Sequence, residues 1–476
     1  MNVFAIGLII YLIVLLAIGY ISAKNIKSSD HYLVANRSLG IIVLVGTIVA
    51  GWLGAGTVVG HASISYSNGY GALWWVAGGV IGILIIITIA TRLRQLEMYT
   101  VPDLLELRYG PTARILGSIT IIIAFTGIVG SQMKAVAYVL DVVVDFNGDL
   151  AIFIGASIVV IYTVMGGMYS VAYTDLVQYG LLIIGLIIAA PIAFSSAGGF
   201  SGWETSLPTT HFEPTGGLGF FGALAVGLPF LMLATVDQNL YQRMYSAKDS
   251  RTAKKGAIWG LFGGALVMLL VFVIAVSSAV LFPNINPDLA VYAIATDLLN
   301  PFLGMILLIA VLSIILSTAD SYLLSPATNI VKDIYVRFIN PSTSDQQILR
   351  LTRICVVLLG VVALSGALWF DTFLEFMLVG YTIYGAGVFF PILAAFFWKG
   401  ATNKGALAAI AGGLVSTLTW EFGIPSSIPT IYIGGVLSLA LLVIVSLFTK
   451  HSDTENANAF KKKKDDEAAP INKNAI

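Results

Sequence analysis

Ser317-Thr318-Ala319-Asp320-Ser321 puts three hydroxyls and a carboxylate into little more than one helical turn. Ser317 and Ser321 stand one turn apart and Asp320 is three residues from Ser317, so these oxygens converge on one side. An oxygen-only ligand set of this kind suits a hard monovalent cation. Helical hydroxyls commonly bond back to their own carbonyls, but that does not account for a buried carboxylate beside them. A second carboxylate, Asp175, shares a helical face with Gln178 and lies about two turns inside its helix. An interfacial carboxylate that caps a neighbouring helix is the plainer alternative for it. Lys134 and Asp141 fall on nearly the same face, and the plain reading is a lysine snorkelling outward to pair with Asp141. The alternatives are a cationic contact for an anionic solute and a fixed charge lining an outer path.

The elements that must carry these groups are membrane helices. The chain is 58% hydrophobic and 11% charged, with a mean hydropathy of +0.92, whereas soluble domains run about 25% charged. About 20 apolar residues span the hydrocarbon core. Stretches of that kind fall near 3–22, 41–66, 71–91, 114–140, 149–165, 171–196 and 216–240, then near 256–282, 301–335, 351–369, 374–397, 403–420 and 429–449. The expectation is an all-α polytopic membrane protein of about thirteen transmembrane helices. The first stretch lacks a basic leader and a small-residue cleavage site, and is expected to be a retained helix. Residues 1–450 form the transmembrane unit, and 451–476, with the Lys461–Lys464 run, form a solvated tail.

Charge placement orients these helices. With the N-terminus outside, every Lys and Arg except Lys134 falls on the cytoplasmic side, Arg243, Lys248 and Arg251 among them. The outer loops then hold acids such as Asp145, Glu204 and Asp288. The formal net charge of zero gives no reason to expect nucleic acid, and no obligate protein partner is evident. One cysteine, Cys355, and four histidines supply neither a disulfide nor a zinc pattern.

After the leading helix, about ten spans divide into two groups, roughly 41–196 and 216–397. An odd number of spans in each group inverts the second relative to the first, the arrangement of many secondary transporters. The first helix of each group carries helix-breaking composition. One holds Gly46 and Gly51-Trp52-Leu53-Gly54-Ala55-Gly56, and the other holds Gly227-Leu228-Pro229 and then Thr235-Val236-Asp237-Gln238-Asn239. Unwound turns at membrane depth expose carbonyls for a cation and helix N-termini for an anion.

Three motifs together resemble the sodium:solute symporters, which include proline, pantothenate, sugar, sialic acid and choline carriers. They are Gly166-Gly167 through Thr174-Asp175 to Gln178, Ser317 to Ser321 followed by Asp333-Ile334-Tyr335, and Asp237-Gln238 with Gln242-Arg243. The resemblance runs from Val3 to about Leu447. It implies a leucine-transporter-type 5+5 inverted repeat with one extra N-terminal and two extra C-terminal helices. It also implies a main sodium site from the carbonyls of Ala50, Leu53 and Ile314 with the hydroxyls of Ser317 and Thr318. Asp175, Asp320 and Ser321 would fall at a second cation site or an exit path. Asp320 departs from the serine of several relatives, which leaves the stoichiometry open and admits proton coupling. The implied solute contacts are Trp52, Ile128, Asp237 and Gln238. Trp52 matches an aromatic that meets the choline ammonium in choline carriers, but Asp237 stands where those carriers have a second tryptophan.

The expected function is sodium-coupled symport of a small polar organic solute by alternating access, with sodium as coupling ion and no catalysis. The alternatives are proton coupling on the same fold, a solute-gated channel, or a transporter-like sensor. The expected location is the cell inner membrane, with the C-terminus cytoplasmic. The identity of the solute is left open among amino acids, monocarboxylates, pantothenate and quaternary amines.

Overall fold

The computed structural model describes residues 3–23, 28–144, 148–165 and 167–450. Lys24, Lys27, Asp145, Gly166 and the tail from His451, with its lysine run, lie outside those residues. The regular structure of the described chain is helical, apart from one bridge between Leu39 and Ala247.

A leading helix α1 (Val3–Ala23) and a short α2 (Ser29–Val34) precede α3 (Ile41–Trp52). Leu53 then leaves helical geometry at φ −102°, ψ 66°. Helix resumes through a π-helical turn at Gly56–His61 and runs on as α4 (Ala62–Asn68), so the first core helix is broken in two. Gly69, at φ +50°, starts the turn into α5 (Leu73–Leu96). A Cβ there would also strike the His211 backbone, so glycine is required on two counts. The short α6 (Val101–Tyr109) is fixed by a capping box between Thr100 and Asp103. α7 (Pro111–Val144), α8 (Gly148–Met165) and α9 (Met168–Ser196) complete the first group, and α10 (Gly199–Ser206) lies in the connection.

The second group opens with α11 (Gly219–Val236), which stops at Asp237 and restarts at once as α12 (Gln238–Ser246). The break falls in the polar run, eight residues beyond the Gly-Pro pair. Gly227 and Pro229 sit within α11, and a Cβ at Gly227 would meet the Trp74 carbonyl at 2.5 Å. That glycine serves close helix packing. Next come α13 (Ser250–Leu281), a short α14 (Ala290–Ala293) and α15 (Pro301–Thr328), which winds on as a π-helical stretch, Asn329–Ile339. α16 (Asp345–Trp369), α17 (Phe373–Phe397), α18 (Asn403–Gly423) and α19 (Thr430–Leu447) follow.

Among the described residues, eleven helices are long and apolar enough to cross a membrane, by length and composition. The expectation was about thirteen. The apolar stretches Val3–Ile18 and Ile41–Trp52 are shorter, the second because the chain breaks at Leu53. α3 packs on α9, α11 packs on α17, and α15 lies against both α7 and α9. The first helix of each group therefore rests on the last helix of the same group, as an inverted repeat requires.

Candidate functional site

α15 touches the unwound turn of the first broken helix. Thr318 Oγ1 donates to the Ala50 carbonyl at 3.0 Å, and a Cβ at Gly54 would fall 2.5 Å from the Thr318 side chain. Glycine at 54 is thus what permits the approach. The opened backbone is held from α7, where Gln132 Oε1 accepts from the Ala55 N–H at 2.9 Å. Leu53 and Ile314 are fully buried. Two oxygens 3.0 Å apart on facing elements can share one hard cation. Ser317 faces elsewhere, rotated by about 100° on the helix, and its hydroxyl donates to Asp175 Oδ1. The expected hydroxyl pair is therefore divided, with Thr318 on Ala50 and Ser317 on Asp175.

Asp175 sits at the centre of a sealed polar cluster. Thr47 Oγ1 donates to its Oδ2 at 2.5 Å, and Arg243 Nη2 reaches the same oxygen at 3.0 Å. The guanidinium also binds Ser321 Oγ at 3.0 Å, the Thr47 carbonyl at 2.6 Å and the Asn239 carbonyl at 3.1 Å. Counting Arg243 as a loop cation fails here, because its side chain is 0% exposed. It already supplies a positive charge to Asp175 and Ser321. Asp320 accepts from Ser321 Oγ at 3.2 Å, and its other oxygen, Oδ2, has no hydrogen-bond partner.

At the second break, Asp237 caps α12 by accepting from the Asn239 N–H at 2.7 Å, and Tyr322 of α15 donates to its other oxygen. Tyr384 and Tyr241 bond the neighbouring carbonyls of Val236 and Thr235. Gln238 is turned into a different network. Its amide exchanges hydrogen bonds with Asn329 at 2.8 and 3.1 Å, and its oxygen accepts from the Val101 N–H at 3.2 Å.

That network continues from the second break to the end of the bundle where basic residues collect. Asn329 donates to Asp333 at 2.8 Å, and Arg114 bridges Asp333, Asp103 and Glu106 at 2.5–2.6 Å. Glu106 also receives Arg337 at 2.7 Å. Burial pushes the Glu106 carboxyl up, but the Arg114 and Arg337 guanidiniums outweigh it and hold the pKa below the ordinary range. Together these contacts tie α6, α7, α12 and the π-helical end of α15 into one closure.

Trp52 belongs to an aromatic column. Its ring stacks on Phe230 at 5.6 Å, Phe230 stacks on Trp75 at 4.4 Å, and Tyr381 follows at 6.1 Å. The column thus joins Trp52 of α3 to rings from α5, α11 and α17. Ile128 is fully buried and packs where Gly380 of α17 leaves room for it. Lys134 does not pair with Asp141. It donates to the Phe370 carbonyl, with Asp371, Asp288 and Glu375 as its charged neighbours. The helix ends that meet around Lys134 are remote in sequence, so spacing along one helix pointed to the wrong carboxylate.

Residues that sequence reasoning did not place at the site include Thr47, Tyr322, Phe230 and the closure residues Glu106, Arg114, Asn329 and Arg337. Arg243 was visible as part of a motif, and its signal was a lone cation within two turns of a helix break.

A broken helix held against a continuous one through buried oxygens, inside an inverted repeat, defines a secondary transporter of the leucine-transporter type. The chain belongs to the sodium:solute symporter family, whose model matches residues 32–413. It is a sodium-coupled symporter of a small solute, carried in a multi-pass membrane protein. Among curated proteins, the osmoregulated proline transporter OpuE of Bacillus subtilis (strain 168) is 27% identical, over 94% of this chain and 94% of that one. The sodium/proline symporter of Escherichia coli (strain K12) is 26% identical, over 91% of this chain and 92% of its own. Among solved structures, a substrate-bound, outward-open Na+-coupled sialic acid symporter aligns with a TM-score of 0.79 at 17% identity, covering 95% of this chain and 99% of that one. MhsT in complex with L-phenylalanine aligns with a TM-score of 0.59 at 13% identity, covering 86% and 98%. These two show a shared fold.

Proposed function

We propose that this chain couples sodium entry to uptake of a small zwitterionic amino acid, with proline the first candidate. The observation that carries the reading is that the curated proline transporters named above match over more than nine-tenths of the chain. Sodium is held by the carbonyls of Ala50, Leu53 and Ile314 and the hydroxyls of Ser317 and Thr318, a reading supported by the 3.0 Å approach of Thr318 to Ala50. Ser317 joins this set by rotating away from Asp175. A second cation is taken by Asp320, the carboxylate in this region with an unpartnered oxygen, because Arg243 already neutralises Asp175 and donates to the Ser321 hydroxyl.

The solute lies between the two breaks. Asp237 meets its amine, the N-terminal end of the half-helix at Ala55–Thr57 faces its carboxylate, and Trp52 and Ile128 form apolar walls. Gln238 belongs to the closure beneath this site. The protein lies in the cell inner membrane with its N-terminus outside and C-terminus cytoplasmic, so the Glu106–Arg114–Asp333 closure seals the cytoplasmic side.

Thermal unfolding of the purified chain with a solute panel, with and without sodium, tests this. Proline or another small amino acid should raise the midpoint only when sodium is present. A rise given solely by a monocarboxylate, pantothenate or choline rejects the amino-acid reading.

A further inference from the structure

Away from the transport path, the outer wall of the bundle has a groove of about 680 Å³ where α8 meets the first half of α16. Val164 of α8 lines it together with Gln346, Arg350, Arg353, Val357 and Leu358 of α16. The lining is graded along the helix axis. Gln346, Arg350 and Arg353 occupy the first three turns of α16, next to its polar end at Ser344, and Val357 and Leu358 lie deeper. Both deeper residues are open to the surroundings, at 43% and 60% exposure. At about 1.5 Å per residue, the basic groups stand at interfacial depth and the apolar wall reaches toward the hydrocarbon core.

Arg353 marks the groove as a site. Its Nε is sealed from solvent and has no hydrogen-bond partner. Among the described residues, neither Arg350 nor Arg353 comes within ion-pair distance of a carboxylate. Snorkelling explains why arginines lie near a membrane rim, but it delivers their donors to water. A sealed guanidinium nitrogen without a hydrogen-bond partner carries a desolvation cost. The complement is an anion that brings its own apolar body.

We propose that this groove binds an anionic phospholipid, its phosphate at Arg350 and Arg353 and an acyl chain along Val164, Val357 and Leu358. Guanidiniums give phosphate oxygens charge-assisted, bidentate hydrogen bonds, and basic pockets between membrane helices are suited to acidic headgroups. Gln346 adds an amide donor and acceptor for the polar linker. α16 also packs on the π-helical stretch that carries Asp333 and Arg337, so the lipid braces the wall behind the closure.

The test uses the purified full chain in detergent, following thermal unfolding against added phosphatidylglycerol, phosphatidylcholine of the same acyl chains, and soluble glycerol phosphate. Phosphatidylglycerol should give a saturable midpoint rise that phosphatidylcholine does not match. Arg350→Gln with Arg353→Gln should weaken that response about tenfold or more. Lys254→Gln with Lys255→Gln, an exposed basic pair elsewhere, should retain it. Equal responses to the two lipids, an equal response to glycerol phosphate, or an equal loss in the lysine pair would overturn the proposal. Should the double arginine variant fail to fold, Arg350→Gln alone and Val357→Trp replace it. The first removes an exposed charge, and the second fills the groove with charge unchanged. A full phosphatidylglycerol response in both would also overturn it.

Discussion

Asp175 of α9 and Arg243 of α12 form an ion pair of 3.0 Å in which both side chains are 0% exposed. Thr47 of the first broken helix and Ser317 of α15 bond the same carboxylate. One buried anion thus gathers the first broken helix, the second half of the other, and the two helices they pack against. A cluster that joins both halves of the repeat has to be remade or carried intact whenever one half moves against the other.

Removing one member strands the other. Arg243→Gln leaves the Asp175 charge buried with only hydroxyl donors, a loss of about 3–5 kcal/mol for a broken buried pair. The expected outcome is a steep fall in the thermal midpoint of the purified chain. Asp175→Asn added to Arg243→Gln should recover part of that fall. A double variant no more stable than Arg243→Gln alone would mean that the pair is not coupled as the geometry describes.

Thr318 and Ser317 differ in what they touch, so their alanine variants should differ as well. Thr318→Ala removes the hydroxyl on Ala50 and should raise the half-saturating sodium concentration about tenfold or more, the scale of a lost ligand hydrogen bond to charge. Ser317→Ala also removes a donor from the charged Asp175, and should lower the thermal midpoint in sodium-free buffer further than Thr318→Ala, which loses a bond to a neutral carbonyl. Since coupling is reciprocal, in each variant the factor by which sodium raises solute affinity must equal the factor by which solute raises sodium affinity. Paired titrations, each ligand measured with and without the other, check both statements.

Much of this architecture was legible in the chain. Hydropathy located the helices, and the glycines at 51, 54 and 56 located the first break, because the backbone there packs against Arg243 of α12, Thr318 of α15 and Tyr381 of α17 and leaves no room for a Cβ. The second break was legible only as a region. Gly227-Leu228-Pro229 has the stronger local breaking propensity, yet α11 continues through it and ends at Asp237, where a side chain can cap the new helix and Tyr322, 85 residues away, can hold that side chain. Such partners are tertiary and leave no local signal. Arg243 shows the same limit from the other direction. Its position near the basic end follows from topology, but its complete burial depends on Asp175, Thr47 and Ser321 converging from three other helices. The closure was hidden too, because Glu106, Arg114 and Arg337 look like ordinary loop charges in sequence and meet only when the π-helical end of α15 reaches α6.

Gly54 offers a test of the contact itself. A Cβ at that position would fall 2.5 Å from the Thr318 side chain, and overpacking of this kind costs roughly 1–3 kcal/mol. Gly54→Ala should push Thr318 from Ala50 and lower sodium affinity even though every ligand atom is retained. Gly54→Ala combined with Thr318→Ser, which removes the methyl group at 2.6 Å but leaves the Cβ at 2.5 Å and the hydroxyl oxygen at 2.6 Å, should restore only part of it. Sodium-dependent stabilisation of the three variants checks this, and no recovery in the combined variant would rule out the steric account.

Glu106 makes one contribution to how the closure responds to pH. Burial raises its pKa, and the guanidiniums of Arg114 and Arg337 lower it by more, so the carboxyl titrates below its usual range in the closed arrangement. When the closure opens and the arginines withdraw, the pKa returns toward about 4.3. The contribution to closure is therefore fully present above that ordinary value and is lost as pH falls through the depressed one. Between pH 5 and 8, roughly the range of normal assays, Glu106 should add no pH dependence to transport. Glu106→Gln reproduces the protonated form at neutral pH and gives up hydrogen bonds to charge worth about 1.5–3 kcal/mol. Amide hydrogens of α6, Val101–Tyr109, should then exchange about ten- to a hundredfold faster at neutral pH, the ratio that this energy implies. In the native chain the part of that increase due to Glu106 should emerge only below about pH 4.3, read as the difference from Glu106→Gln after correction for the intrinsic pH dependence of exchange. Unchanged exchange in Glu106→Gln would show that Arg114 and Arg337 do not need this carboxylate to hold α6 against the π-helical end of α15.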